Sequence, residues 1–308
     1  MRVLVTGATG FVGRAVVAAL AKAGHDVVPM ARRSGQLSGP VADVRDSDAV
    51  RAAVAGVDAV CHLAALTRTR ESASAASDYW AVNVGGTFNV VSALLATASP
   101  ATPKRLVLAS TAAVYGTNVP QPVTEDSPTV PANPYGASKL AADHIVAGCT
   151  ATGAIGAVAL RAFNVAGAAH GASDQDDTRI VPRIVAVQAG IAPELTLNGD
   201  GMVVRDFVHV ADMADAFVLA LESCTPGKWR TYNVGSGRGT SLAKLVKIAE
   251  EVNGRPVRVK HGPPVDEPAV LLADSSRIRR ELGWHPRRSA VETILADAWQ
   301  ALIRSCSG

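Results

Sequence analysis

Seven residues near the amino terminus, Gly7-Ala8-Thr9-Gly10-Phe11-Val12-Gly13, constrain the fold more than any other feature of the chain. They follow a short apolar run, Val3-Leu4-Val5, and open a helical pattern over residues 14–23. Glycines permit a tight turn and close approach of the backbone to a pyrophosphate. A helix starting there adds unpaired N–H groups and the positive end of its dipole. In this context the loop predicts a dinucleotide site, with Gly7, Gly10, Phe11, Val12 and Gly13 against the cofactor. A glycine turn serving only strand–helix packing is the alternative, and the later motifs weigh against it.

The pattern continues beyond the loop. Asp26-Val27-Val28, Asp58-Ala59-Val60-Cys61 and Arg105-Leu106-Val107-Leu108 read as short buried strands, with helical stretches at residues 46–55 and 78–96 between them. Strand–helix alternation predicts an α/β fold, a doubly wound parallel sheet of Rossmann type with ligands at the carboxyl ends of its strands. Only 19% of the residues are charged, as expected for a sheet covered on both faces. A helix is expected from residue 135 to about 151, after the proline-rich loop 120–134. Beyond Asn164 the sequence turns irregular, with a strand-like segment at 202–210 and helices near 212–222 and 241–252. We therefore expect a dinucleotide-binding domain over 1–164 and a smaller α/β substrate-binding domain over 165–308, partly interleaved with the core.

Composition narrows the classes further. The formal charge of +3 is small and the basic residues are scattered, which argues against nucleic acid as a partner. Cys61, Cys149, Cys224 and Cys306 have no metal-ligand spacing and imply no disulfide framework, so no metal is expected. The amino terminus lacks the pattern of a secretion signal, and no apolar run reads as long enough to span a bilayer. No membrane partner and a reducing cytoplasm are the expectation.

Which dinucleotide binds is less direct. The second strand, where an acidic residue normally holds the ribose hydroxyls of NAD, ends instead in Pro29-Met30-Ala31-Arg32-Arg33. Arg32 or Arg33 could grip a ribose phosphate, which makes NADP possible, or could be solvated loop charges. Asp43, just past an expected third strand, could accept a hydrogen bond from the adenine amino group or could cap a helix.

Tyr135-Gly136-Ala137-Ser138-Lys139 places a phenol and an ammonium four residues apart on one helix face. A nearby ammonium and an oxidised nicotinamide, both cationic, would lower the phenol pKa and let Tyr135 act as a base. Ser110 and Thr111 end the fourth strand, where such a sheet exposes ligands, and Thr111 could bond the same substrate oxygen.

Taken in order, the glycine loop, Asp43-Val44, His62-Leu63-Ala64-Ala65, Asn83 in Asn83-Val84-Gly85-Gly86-Thr87, Ser110–Gly116, Tyr135–Lys139, Arg161–Gly167, Arg205–Val210 and Tyr232–Gly235 cover nearly the whole chain. They resemble the extended short-chain dehydrogenase/reductase family, most closely its nucleotide-sugar 4-epimerases of the UDP-glucose 4-epimerase type. The resemblance implies Thr111, Tyr135 and Lys139 as catalytic hydroxyl, base and electrostatic partner. It implies cofactor contacts at Asp43, Val44, Leu63, Ala64, Ala65 and Asn83, and substrate contacts at Asn164 and at Arg205, the latter clamping a UDP-sugar pyrophosphate.

Relatives that eliminate water carry an Asp-Glu pair after the catalytic hydroxyl, and those that decarboxylate a uronate carry a Glu. This chain has Ala112-Ala113. Without those carboxylates, oxidation and reduction at one carbon remains, either 4-epimerisation or 4-ketoreduction. An epimerase regenerates its dinucleotide every cycle, which favours retained NAD over NADP. An NADPH-dependent ketoreductase is the nearest alternative, and a non-enzymatic dinucleotide sensor, which needs no Tyr135 or Lys139, a remote one. The stretch Asn164–Gly171 lacks an Arg for a C6 carboxylate and favours a neutral sugar, although Arg68, Arg70 or Arg179 could serve. A second pyrophosphate Arg expected near His261–Glu267 is missing. By analogy with the family, the long helices at 78–96 and 135–151 suggest a homodimer.

Overall fold

The structure, a computed structural model, describes residues 1–306 except Gln36, Pro100 and Asp266. The chain begins β1 (Arg2–Thr6), α1 (Phe11–Lys22), β2 (Asp26–Pro29), α2 (Ser47–Val54), β3 (Ala59–His62), α3 (Ala76–Tyr79), α4 (Gly86–Thr97), β4 (Lys104–Thr111), α5 (Pro134–Thr150) and β5 (Ile155–Ala162). It continues through β6 (Asn164–Ala166), β7 (Ala168–Ala169), β8 (Ala172–Ser173), α6 (Ile180–Gln188), β9 (Leu195–Asn198), β10 (Val204–His209), α7 (Val210–Ser223) and β11 (Trp229–Val234). The final part holds β12 (Gly239–Ser241), α8 (Leu242–Asn253), β13 (Val259–Gly262), β14 (Val270–Leu271), α9 (Ser276–Leu282) and α10 (Val291–Cys306).

Six parallel strands form the central sheet in the order β11-β5-β4-β3-β1-β2. Alternation along each strand divides the side chains between two cores. Val3 and Val5, Ala59 and Cys61, Val107, Val158 and Leu160 face α1 and α7. Leu4, Val60, Leu106, Leu108, Ala157 and Ala159 face α2, α4 and α5. Both faces are covered, so these strands are apolar at nearly every position. The last strand, β11, comes from beyond residue 164 and pairs with β5 along its whole length. A third core lies between α6, α8 and α10, where Phe207 of β10 meets Ile184, Leu245 and Ile294.

Two sequence expectations are corrected here. The strand expected just before Asp43 does not form; Ala31 and Val41 make a single parallel bridge past the end of β2. Gly39 in the same loop lies so close to Pro29 that a Cβ there would sit 1.9 Å from its carbonyl oxygen. The expected helix at 78–96 runs from Ala76 to Thr97 through a π-helical turn at Trp80–Gly85, and is by length and composition alone apolar enough to cross a membrane. It contradicts the reading that no run is long enough. In the fold, Val90, Val91 and Leu94 of this helix belong to the core under the sheet.

Candidate active site

The glycine loop is shaped by steric necessity. Gly7 has φ +69°, and a Cβ on it would meet the Ala64 nitrogen at 2.7 Å. A Cβ on Gly13 would lie 2.1 Å from the Gly7 carbonyl oxygen. Only glycine lets the strand end, the turn and the first turn of α1 close on one another, leaving a cradle of backbone N–H groups at a helix start without acidic residues. Gly7, Gly10, Phe11, Val12 and Gly13 all line one large cleft at the carboxyl ends of the strands. This donor set fits a dinucleotide pyrophosphate.

Opposite the loop, residues 63–66 are fixed by a buried network. The Thr6 hydroxyl accepts from the backbone N–H groups of Leu63 and Ala64, both at 3.1 Å, so its own proton goes to His62 Nδ1 at 2.7 Å. His62 Nε2 then donates to the Thr87 hydroxyl at 3.1 Å, which in turn donates to the Asn83 carbonyl at 2.6 Å. Burial, with the charge of Lys139 beside it, lowers the His62 pKa to about 3, so the ring is neutral. Asn83 holds the same loop by a second route, accepting from Leu66 N–H at 2.8 Å and donating to the Leu66 carbonyl and to Ser138. Leu63, Ala64 and Ala65 line the cleft, whereas buried Asn83 lies outside its lining with its amide occupied by the loop. Thr6, His62, Thr87 and Ser138 are not singled out by the sequence, although the last three lie within its motifs. The available sign was a His closing an apolar strand, at the last position of β3.

Arg32, Asp43 and Val44 line the same cleft past the end of β2. Asp43 accepts from Arg45 Nε and Nη2 at 3.0 and 2.8 Å, and these bonds hold its carboxyl down at about 2.

Thr111, Tyr135 and Lys139 converge at the cleft floor. The Thr111 hydroxyl accepts from Ala113 N–H at 3.2 Å, capping the turn Ala112–Tyr115, and it acts on the neighbouring Tyr135 phenol. Tyr135 stands edge-on to Tyr79, ring centroids 6.3 Å apart. Burial pushes its phenol up, while Thr111 and the positive charge of Arg179 act against that. Desolvation dominates at the phenol, and Lys139 has its own counter-charge in Asp143. Burial lowers Lys139 to about 8, so near neutral pH it is mainly the ammonium.

Behind Lys139 lies a second buried network. Arg161 Nε donates to Asp143 at 3.2 Å and Arg161 Nη1 to the Tyr115 hydroxyl at 3.0 Å; Tyr115 donates to Asn233 at 2.7 Å. Three of the sequence motifs thus meet here in the interior, supporting the catalytic helix from behind.

At the far end of the cleft Asn164 lines the wall and donates to the Asp206 carbonyl at 3.0 Å. Arg205 lies outside the lining. Its guanidinium donates to Glu267 and to the carbonyl oxygens of Pro268 and Val204, which hold it against its own strand. Arg68, Arg70 and Arg179 line the cleft mouth. Arg68 pairs with Glu71 and Asp176, and Arg179 with Asp174 and Asp176.

Known proteins are similar to this chain in sequence and fold. Residues 3–235 match the model of the NAD dependent epimerase/dehydratase family. The UDP-glucose 4-epimerase of Corynebacterium glutamicum is 37% identical over 316 residues, covering 97% of this chain and 95% of that one. A crystal structure of UDP-glucose-4-epimerase from Stenotrophomonas maltophila, with bound NAD and formylated UDP-arabinopyranose, superposes with a TM-score of 0.90 at 32% identity over 100% of both chains. The epimerase from Bifidobacterium longum in complex with NAD+ and UDP also reaches 0.90, at 26% identity over 100% of both. With the glycine cradle, the Thr111–Tyr135–Lys139 cluster and the six-stranded sheet all in place, the chain belongs to the NAD-dependent epimerase/dehydratase family.

Proposed function

We propose that this chain is a UDP-hexose 4-epimerase that works through a transient 4-keto sugar and retains NAD. The observation that carries the reading is the meeting of Thr111, Tyr135 and Lys139 beside the glycine cradle, with Ala112-Ala113 in place of the carboxylates that elimination requires. Bound NAD supplies a reversible hydride acceptor. Tyr135 takes the proton of the sugar 4-hydroxyl and later returns it, Thr111 holds the same oxygen, and Lys139 keeps a positive charge next to the developing oxyanion.

The sugar must turn over between the two hydride transfers, so binding energy belongs on the nucleotide. Arg205 is proposed as a pyrophosphate ligand. Phe207, two residues on and on the same strand face, lines the cleft, and the Glu267 carboxylate on the guanidinium marks it as an anion receptor. A homodimer is also proposed, joined through the helix 76–97, on which Trp80 and Phe88 are 44% and 58% exposed. Light scattering giving a monomer mass at micromolar concentration would refute it.

The test of function is incubation of the purified protein with UDP-glucose or UDP-galactose without added cofactor, followed by chromatography of the products. Interconversion is expected. Absence of turnover on UDP-glucose, UDP-N-acetylglucosamine and UDP-glucuronate, with NADPH consumed on a 4-keto sugar, would establish a ketoreductase instead.

A further inference from the structure

The end of β2 is built unlike a site meant for an unphosphorylated ribose alone. Carboxylate recognition of ribose hydroxyls needs an acid at this strand end, and the chain offers Met30, Ala31, Arg32 and Arg33. The loop that carries the two arginines is fixed at its base: Ala31 N–H donates to the Pro40 carbonyl at 3.1 Å and Ala42 N–H to the Ala31 carbonyl at 2.9 Å. Arg32 and Arg33 both line the cleft that holds the glycine loop, and both side chains are exposed. No hydrogen bond or ion pair engages either guanidinium among the described residues.

Charge balance points the same way. Between residues 31 and 45 three arginines face one aspartate. That aspartate, Asp43, is already neutralised by the two-point bond from Arg45. Arg32 also acts on Asp43, but neither its guanidinium nor that of Arg33 has a hydrogen-bonded counter-charge among the described residues, and both line the cleft just past β2. A planar guanidinium fork meets phosphate oxygens in two-point fashion, and a flexible pair needs only small rotamer changes to do so.

We propose that Arg32 and Arg33 form a 2′-phosphate site and that this chain binds NADP(H) as well as NAD(H). The inference rests on the dinucleotide reading of the cleft and is independent of the sugar. It separates the chain from a strictly NAD-selective site, in which an acid after β2 would repel the phosphate.

Binding measures it directly. NADH and NADPH are titrated, by fluorescence, into the full-length protein after removal of any co-purified dinucleotide, and into the double variant Arg32→Ala/Arg33→Ala. In the parent protein NADPH is expected to bind within about tenfold of NADH. In the variant NADPH should weaken by roughly tenfold or more, the worth of a charge-assisted contact, with NADH unchanged within about twofold. NADPH binding should also fall more steeply with salt. An NADPH affinity more than about a hundredfold below that of NADH in the parent, or equal losses of both nucleotides in the variant, would overturn the proposal. If neither nucleotide bound, the dinucleotide reading itself would fall. If both bound but no UDP-hexose were converted, only the epimerase reading would fall.

Discussion

At the dinucleotide end of the cleft the walls are main chain and small side chains: Gly7 against Ala64, Gly13 against Gly7, and loop 63–66 held by Thr6, His62 and Asn83. At the opposite end the walls are long charged side chains engaged with one another, Arg68 with Glu71 and Asp176, Arg179 with Asp174 and Asp176, while Arg205, outside the lining, is held by Glu267. The first kind of wall cannot be altered without moving backbone. The second can exchange partners by rotating side chains. That division suits an enzyme that must hold one ligand still while turning the other over.

The contrast is sharpest at the floor between the two ends. Tyr135→Phe removes one hydroxyl and no wall, so it should lower kcat by about 10²–10⁴-fold while leaving NAD affinity within twofold of the parent. Retention of more than about a tenth of the activity would mean that the proton passes elsewhere.

Titration of the rigid end comes next. His62 is fully buried and its pKa is lowered from 6.5 to about 3. Below pH 6.5 the unfolded chain takes up a proton that the folded chain refuses, so stability is lost as pH falls toward 3, by on the order of 5 kcal/mol from this group alone. His62→Gln should be less stable at pH 7 yet show a flatter dependence between pH 6.5 and 3 in urea melts. Superimposable slopes for the two proteins would remove His62 from this role.

Arg205 probes the exchangeable end. Arg205→Ala should raise KM for the UDP-sugar by roughly 10- to 100-fold with little change in kcat, the worth of a charge-assisted contact. A fall in melting temperature with KM unchanged would assign the residue to the scaffold it shares with Glu267 and Pro268.

The smallest effect is expected at the rim. Arg68 and Glu71 are about half exposed. Arg68→Ala should therefore alter stability by no more than about 1 kcal/mol, with any change in KM fading in high salt. A larger and salt-insensitive effect would make the rim as rigid as the glycine cradle.

The same contrast explains what could be read from the sequence. Glycine spacing and the Tyr–Lys interval are dictated by backbone geometry, and the residues they name, Gly7, Gly10, Gly13, Thr111, Tyr135 and Lys139, do meet in one cleft. Asn83 and Arg205 carry equally strong motif context, but their immediate partners are chosen by tertiary contacts with Leu66 and Glu267, 17 and 62 residues away. Strand periodicity located β1 to β4, yet the further strand expected before Asp43 is reduced to the single Ala31–Val41 bridge. Support for Lys139 through Asp143, Arg161, Tyr115 and Asn233 spans four elements, and no local pattern encodes it.

The placement of β11 carries a consequence for the order in which the molecule can be assembled. Synthesis delivers β1 to β5 first, but the outer edge of β5 gains its partner only when residues 229–234 have emerged. Until then a row of unpaired backbone groups on a strand as apolar as Ile155–Ala162 is open to any other extended chain. A nascent chain halted before Trp229 would hold the glycine cradle and the Tyr135 helix and still carry an edge prone to aggregation, so the last strand to emerge completes the sheet that carries the glycine cradle.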